Sequence, residues 1–382
     1  MRKSLWILAA VAAGATLLAG CSGEKVTPPM PLTKISKPIR IKSVWRHHLG
    51  SGAGKLDLNL VVAADQGNVY ASTANGDVYA FDGKTGKRAW ETRTGHHVDA
   101  GPGVGGGLVL MGAADGTVLA LDEKDGRKRW SIRLGSSVLA VPEASKGVVV
   151  VRTVDGHVYG LDASDGSQLW SYSSDEPSLT LRGQSAPLIA GDQVVVGFDN
   201  GKLAALSLYD GTAQWERVVA APNGSSEIAR LVDIDADPVR AGDNVYAVAY
   251  HGRAVEVALD SGSILWSTSM SATAGMAAGP QNLYVTTADS AVVALDRTTG
   301  ASVWSQNAML RRSLTGPAVV GDYVVVGDYQ GYVQWLSRKD GAILGRVQVD
   351  SDGIEASPVA VGKRVYVYSR GGELACLEKA EQ

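Results

Sequence analysis

Two histidine pairs, His47-His48 and His96-His97, are the first candidates for metal ligation in this 382-residue sequence. Neighbouring side chains on a strand point to opposite faces, so neither pair closes on one ion and no metal site is expected. Gly101-Pro-Gly103-Val-Gly-Gly106 has the glycine spacing of a dinucleotide-binding loop. Such a loop must open a helix whose N-terminus holds the pyrophosphate, and here the strand-like run Leu108-Val-Leu-Met follows instead. The motif is read as a turn. Gly54-Lys55 is no phosphate loop either, because Leu49 and Leu56 stand where glycine and Ser/Thr are required. Cys376 takes a small-residue position in an apolar alternation, which packing explains without reactivity. No Ser/His/Asp grouping can be assembled. The sequence implies neither a catalytic centre nor a cofactor.

Cys21 carries a different chemistry. Arg2 and Lys3 precede an apolar run from Leu5 to Ala19, the layout of an export signal and short of the ~20 residues that span a bilayer. The run ends in Leu18-Ala19-Gly20-Cys21, which resembles the lipobox of bacterial lipoproteins, where the cysteine is acylated and becomes the first residue of the mature chain. Ser22 in place of Asp implies, by the same resemblance, passage to the outer membrane. Pro28, Pro29, Pro31 and Pro38 exclude a helix or central strand, so residues 21–38 are expected to form a lipidated flexible tether after a signal peptide at 1–20. Cys376 is then the only other thiol, and no intramolecular disulfide is available.

The elements that follow are set by a repeat. Hydrophobic residues make up 45% of the chain, and 46 Gly against 2 Phe points to many tight turns. A net charge of −3, and −5 once Arg2 and Lys3 are removed, disfavours a phosphate-neutralising surface, so nucleic acid is not an expected partner. Asn75-Gly76 leads 14 residues later to Trp90, and the same spacing joins Gly116 to Trp130, Gly156 to Trp170, Gly201 to Trp215, Gly252 to Trp266, Ser290 to Trp304 and Gly331 to Gly345. A further glycine sits ten residues into each copy, from Gly86 to Gly341. The eighth copy, at Gly371-Gly372, runs out of chain before its tryptophan, while Trp45 stands in a matching context at the other end. A period of about 42 residues is that of four-stranded propeller blades. The expectation is an all-β, eight-bladed propeller of antiparallel blades over residues 39–382, closed by the N-terminal strand. Trp45, Trp90, Trp130, Trp170, Trp215, Trp266 and Trp304 form its ladder of outer-strand tryptophans.

Two connections break the period. Trp90 to Pro102 and Trp130 to Pro142 span 12 residues, Trp170 to Pro187 spans 17 and Trp215 to Pro238 spans 23. Both insertions fall between an outer strand and the next inner strand, hence on one face and on adjacent blades, as binding loops commonly do. They contain Leu179, Leu181 and Arg182 in the first and Asp233 and Asp235 in the second, an apolar anchor beside a charged rim.

Pro177-Ser-Leu-Thr-Leu-Arg-Gly-Gln-Ser-Ala-Pro187 and Asp233-Ile-Asp-Ala-Asp-Pro238, with the lipobox and the eight repeats, resemble the outer-membrane protein assembly factor B family, the propeller lipoproteins of the β-barrel assembly machinery. The likeness covers nearly the whole chain. It implies a non-enzymatic scaffold, lipid-anchored in the outer membrane and facing the periplasm, that aids insertion of β-barrel proteins. Its partner would be the POTRA region of the central barrel-forming subunit, contacted by Leu179, Leu181, Arg182, Asp233 and Asp235. Unfolded outer-membrane proteins are a further candidate partner, received as a chaperone-like binder would receive them. The rival reading is a quinoprotein-type dehydrogenase, which shares Asp82-x-x-Thr85-Gly86-x-x-x-Trp90 repeats; the family's adjacent cysteines are absent. Gly345 in place of a tryptophan and Glu256 in place of the usual alanine depart from the repeat.

Overall fold

Each repeat is cut into hairpins by glycines that take positive φ, +83° at Gly76 and +72° at Gly86 in the first copy, a conformation open to glycine at little cost. Between them the apolar alternations pair as antiparallel strands. The computed structural model describes residues 27–54, 58–175, 177, 179–181 and 185–381. Residues 1–20, Cys21 and Arg182 lie outside them.

Eight sheets result, seven of them with their strands in chain order from the inside outwards. Blades 1 to 7 cover residues 63–93, 100–133, 143–173, 188–218, 239–270, 275–306 and 318–348. Blade 8 combines three C-terminal strands with Ile41–His48, which pairs antiparallel with Glu373–Lys379 from Ile41 opposite Lys379 to His48 opposite Glu373. The N-terminal strand thus closes the ring. Asn59–Leu60 adds a fifth strand to blade 2, parallel to Ala100–Gly105, and brings the segment around Leu58 to Val61 into the central cavity. Pro142, Pro187, Pro238, Pro317 and Pro358 immediately precede inner strands, where no ladder donor is required.

The tryptophans join neighbouring blades. Each indole Nε1 donates to a carbonyl in the outer turn of the next blade: Trp90 to Glu123 at 3.0 Å, Trp130 to Ala163 at 2.9 Å, Trp170 to Leu208, Trp215 to Leu259 and Trp266 to Arg297 at 2.8 Å, and Trp304 to Arg338 at 3.1 Å. Trp45 of blade 8 donates to Gly83 of blade 1, also at 3.1 Å. The indole ring lies on the turn glycine of that next blade. A Cβ at Gly126 would sit 2.5 Å from the Trp90 ring, and one at Gly166 2.7 Å from Trp130. In the turn itself Asp82 accepts from Lys84 N, Thr85 N and Thr85 Oγ1. Those bonds, the Thr85 hydroxyl foremost, hold its carboxyl below the usual range. Asp-x-x-Thr-Gly is therefore a turn that receives a tryptophan.

Both departures from the repeat have local compensations. In six blades a small residue on the third strand faces the outer-strand tryptophan, as Ala80 faces Trp90 and Cys376 faces Trp45. Blade 7 reverses the pair: Trp335 on the third strand faces Gly345. Trp335 is fully buried against blade 8, and Ile39 and Ile41 occupy the space over Gly345. In blade 5 the residue facing Trp266 is Glu256, buried, and accepting from Asn244 Nδ2 at 2.7 Å and Tyr246 Oη at 2.6 Å. Within the stretch read as a tether, Pro28, Met30 and Thr33 are bonded to the loop before blade 7 and to its outer strand, and Ile39, the first residue assigned to the propeller, bonds to that strand as well.

Trp130→Ala removes a ring that is 7% exposed together with its interblade hydrogen bond, and is expected to cost about 3–5 kcal/mol in chemical denaturation. A loss under about 1 kcal/mol would mean that the junction repacks. Deleting residues 39–50 strips the closing strand from blade 8, and the thermal transition of the deleted chain should fall sharply; an unchanged transition would count against closure as a source of stability.

Candidate functional site

Alternating strand direction puts every outer-to-inner connection on one face of the ring, here called the loop face. The two long connections, 174–187 and 219–238, leave blades 3 and 4 side by side on it. The second holds a single turn of 3-10 helix, Ile228–Arg230, with Ile228 69% exposed. It then returns under the first. Ile234 N donates to Phe198 O at 3.2 Å and its side chain packs where Gly197 has no Cβ, which seats the acidic stretch beside blade 4.

The five expected contact residues are not equivalent. Leu179 is 43% exposed, and Leu181 is half-buried at the mouth of the central cavity. Asp233, expected on the surface, is fully buried. Its Oδ2 accepts the backbone N–H of Leu181, and its carbonyl accepts Tyr250 N at 2.9 Å. A carboxylate at 0% exposure cannot meet a partner directly; Asp233 ties one loop to the other and fixes where Leu181 stands. Asp235 lies next to Leu181 at the cavity mouth, mostly covered. Asp237 completes the alternation, accepting Ala186 N at 2.6 Å. The acidic run is thus a rack for the first loop.

A buried ion pair underlies it. Arg152, the last residue of the second strand of blade 3, is fully buried and donates through Nη2 to Asp199 Oδ1 of blade 4 at 2.5 Å. Its guanidinium lies over the Phe198 ring at 5.5 Å. Burial, then the charges of Asp199 and Asp233, push the Asp235 carboxyl up to about 8, with Arg152 opposing the rise. Burial raises Asp233 to about 6, against the bond from Leu181 N. Among the described residues, Asp233 Oδ1 and Asp235 Oδ1 have no hydrogen-bond partner. The cavity beside them, about 620 Å³, is lined by Asp99, Asp235, Asp237 and Glu355 together with Leu58, Leu60 and Met276. No three His, Cys, Asp or Glu side chains among the described residues are grouped to hold a metal ion. The site offers apolar contact and preset polarity.

A family profile described as outer membrane protein assembly factor BamB matches residues 42–131, 74–306 and 288–381. The chain belongs to the BamB family. A BamB of Pseudomonas aeruginosa is 50% identical over 97% of this chain and 98% of its own length, and the Escherichia coli K12 protein of that name is 34% identical over 94% and 95%. The crystal structure of BamB from Moraxella catarrhalis superposes with a TM-score of 0.81 at 28% identity, covering 89% of this chain and all of that one. Quinohemoprotein alcohol dehydrogenase from Comamonas testosteroni reaches a TM-score of 0.70 at only 14% identity, a likeness of fold alone. With BamB relatives so close, the dehydrogenase reading is set aside: the chain is a non-catalytic outer membrane protein assembly factor and works among partner subunits.

Arg152 and Asp199 were not picked out from the sequence. Their signal was there: Val148-Val-Val-Val-Arg152 ends an otherwise apolar strand in a charge that must find a buried partner. The raised carboxyls give a testable pH dependence. Free Asp titrates near ~3.9, so between that pH and about 8 the folded chain holds protons that the unfolded chain releases, and stability falls as pH rises. Asp235→Asn removes the cost of charging the group. Its melting temperature should exceed that of the wild type at pH 9, and the gap should narrow as pH falls and close only below ~3.9. Parallel curves across that range would show that Asp235 ionises freely in the folded chain.

Proposed function

We propose that the loop face binds the POTRA region of the central barrel-forming subunit of the β-barrel assembly machinery, and that this scaffolding aids insertion of β-barrel proteins into the outer membrane. The observation that carries it is the bond from Leu181 N to Asp233, which locks two insertions on adjacent blades into one surface with Leu179 projecting. Leu179 and Leu181 provide the apolar anchor and Arg182 a charge for the partner, while Asp233 bonds the loop that presents them and Asp235 lies beside Leu181 at the cavity mouth. An anchor already fixed before contact loses little conformational freedom on binding. Cys21 is the lipid attachment that keeps the chain at the outer membrane on its periplasmic side.

Combining Leu181→Ala with Arg182→Glu should reduce binding of the purified POTRA region at least about tenfold, since reversing a desolvated charge costs about 2–5 kcal/mol. The melting temperature should not move, because both residues lie outside the blades. Full binding by this variant would sink the assignment, and lost binding accompanied by a lowered melting temperature would make the leucines structural. Asp233→Ala should weaken binding through Leu181 while Leu179 stays in place. Cys21→Ser should release the chain from outer membranes; a wild-type chain that is mature, soluble and unacylated would overturn the lipid attachment.

A further inference from the structure

Residues 28–39 cross the propeller from one face to the other. At the start, Met30 N donates to Leu310 O at 3.0 Å, Arg312 Nη1 to Met30 O at 3.1 Å and Arg311 Nε to Pro28 O at 3.0 Å. Leu310, Arg311 and Arg312 belong to the connection between blades 6 and 7, and so to the loop face. Further along, Arg346 Nη1 donates to Thr33 O at 3.1 Å, from the middle of the outer strand of blade 7. At the end, Ile39 N donates to Leu344 O at 2.8 Å, where that strand begins on the opposite face. Ile41 then starts the closing strand.

The upper contact is built. Arg312 is 2% exposed, paired with Asp328 at 2.8 Å, bonded to Gln330 at 2.6 Å and stacked 5.1 Å over the Tyr329 ring. A guanidinium fixed on these sides holds its remaining N–H where the Met30 carbonyl meets it. The lower contact is the pair Ile39 and Ile41 over Gly345. The segment is a strap pinned at both ends.

We propose that this strap sets the orientation of the propeller on the membrane, turning the loop face toward the lipid surface. The inference rests on acylation of Cys21, as read above. Only six peptide steps separate Cys21 from Thr27, at most about 20 Å of chain. A six-residue strand alone rises about 20 Å, so that length is exhausted before it can pass from the loop face around the rim to the opposite face. A free tether of all residues from 21 to 38 would reach about 60 Å and let either face meet the bilayer. With the strap docked, the loops carrying Leu179 and Leu181 open on the membrane side of the ring, and a partner bound there is held close beneath the bilayer.

The test uses the full-length acylated protein on phosphatidylethanolamine and phosphatidylglycerol vesicles carrying an acceptor dye at the headgroups. A donor dye is placed on Asn307→Cys at the loop face or on Lys339→Cys at the opposite turns, both exposed positions, while buried Cys376 stays unlabelled. Energy transfer from position 307 should be at least about twofold that from 339. In a second variant, residues 28–33 are replaced by an equal length of alternating Gly and Ser, which leaves Ile39, Ile41 and the closing strand intact. That variant should float with the vesicles and melt as the wild type does, and the difference between the two positions should vanish. Equal transfer from both positions in the floating wild type, or a difference that survives loss of the strap, would overturn the orientation alone. A wild type that does not float would overturn the anchor, and the orientation with it.

Discussion

The ring depends on one contact, made at seven of its eight junctions: a tryptophan of the outer strand lying on the turn glycine of the blade that follows. The glycine must be glycine twice over, for its positive φ and for the Cβ it lacks under the indole. The carbonyl beside it takes the indole N–H, and the aspartate at the head of the turn shapes the loop that presents both. Motif and function are split between neighbours: the turn belongs to one blade and the tryptophan that needs it to the previous one. A single repeat therefore cannot bury its own tryptophan. Stability accrues from junctions, as in other modular repeat folds, and stops accruing only when the ring is closed.

Against this regular frame the loop face is irregular by design of its charges. A carboxylate buried beside two others is costly to ionise, and Asp233 and Asp235 keep their protons to higher pH than free aspartate does. What they supply is position. Asp233 holds the backbone of Leu181, and the ion pair of Arg152 with Asp199 braces blade 3 against blade 4 below. Leu179 and Leu181 are thus held from beneath by groups that are themselves buried.

Blade number and ring closure were legible in the sequence because each is a matter of period, and period survives local exceptions. The exceptions were visible without their explanations. Glu256 is satisfied by Asn244 and Tyr246 of the strand beside it, and Gly345 is answered by Trp335 from its own sheet and by Ile39 and Ile41 from the far end of the chain. Such compensations run across strands and leave no trace in linear spacing. The loop residues were legible as a group, but alternation in Asp233-Ile-Asp-Ala-Asp suggested exposed acids. Burial of Asp233 follows from Ile234 docking over Gly197, a packing event that no residue count reveals. Prolines between 28 and 38 correctly excluded helix, yet an extended chain can be as firmly held as a helix when arginines are waiting along its path.

Closure by the N-terminal strand also has a consequence for how the molecule comes into being. Ile41–His48 is made first, and its pairing partner, Glu373–Lys379, is made last. Throughout synthesis and export the early strand is an orphan edge, a ready template for mispairing. Its composition suits that wait: Lys42, Arg46, His47 and His48 crowd eight residues with charge and polarity, and its apolar members are few. The segment that completes the ring is thereby kept from completing anything else until the last blade arrives.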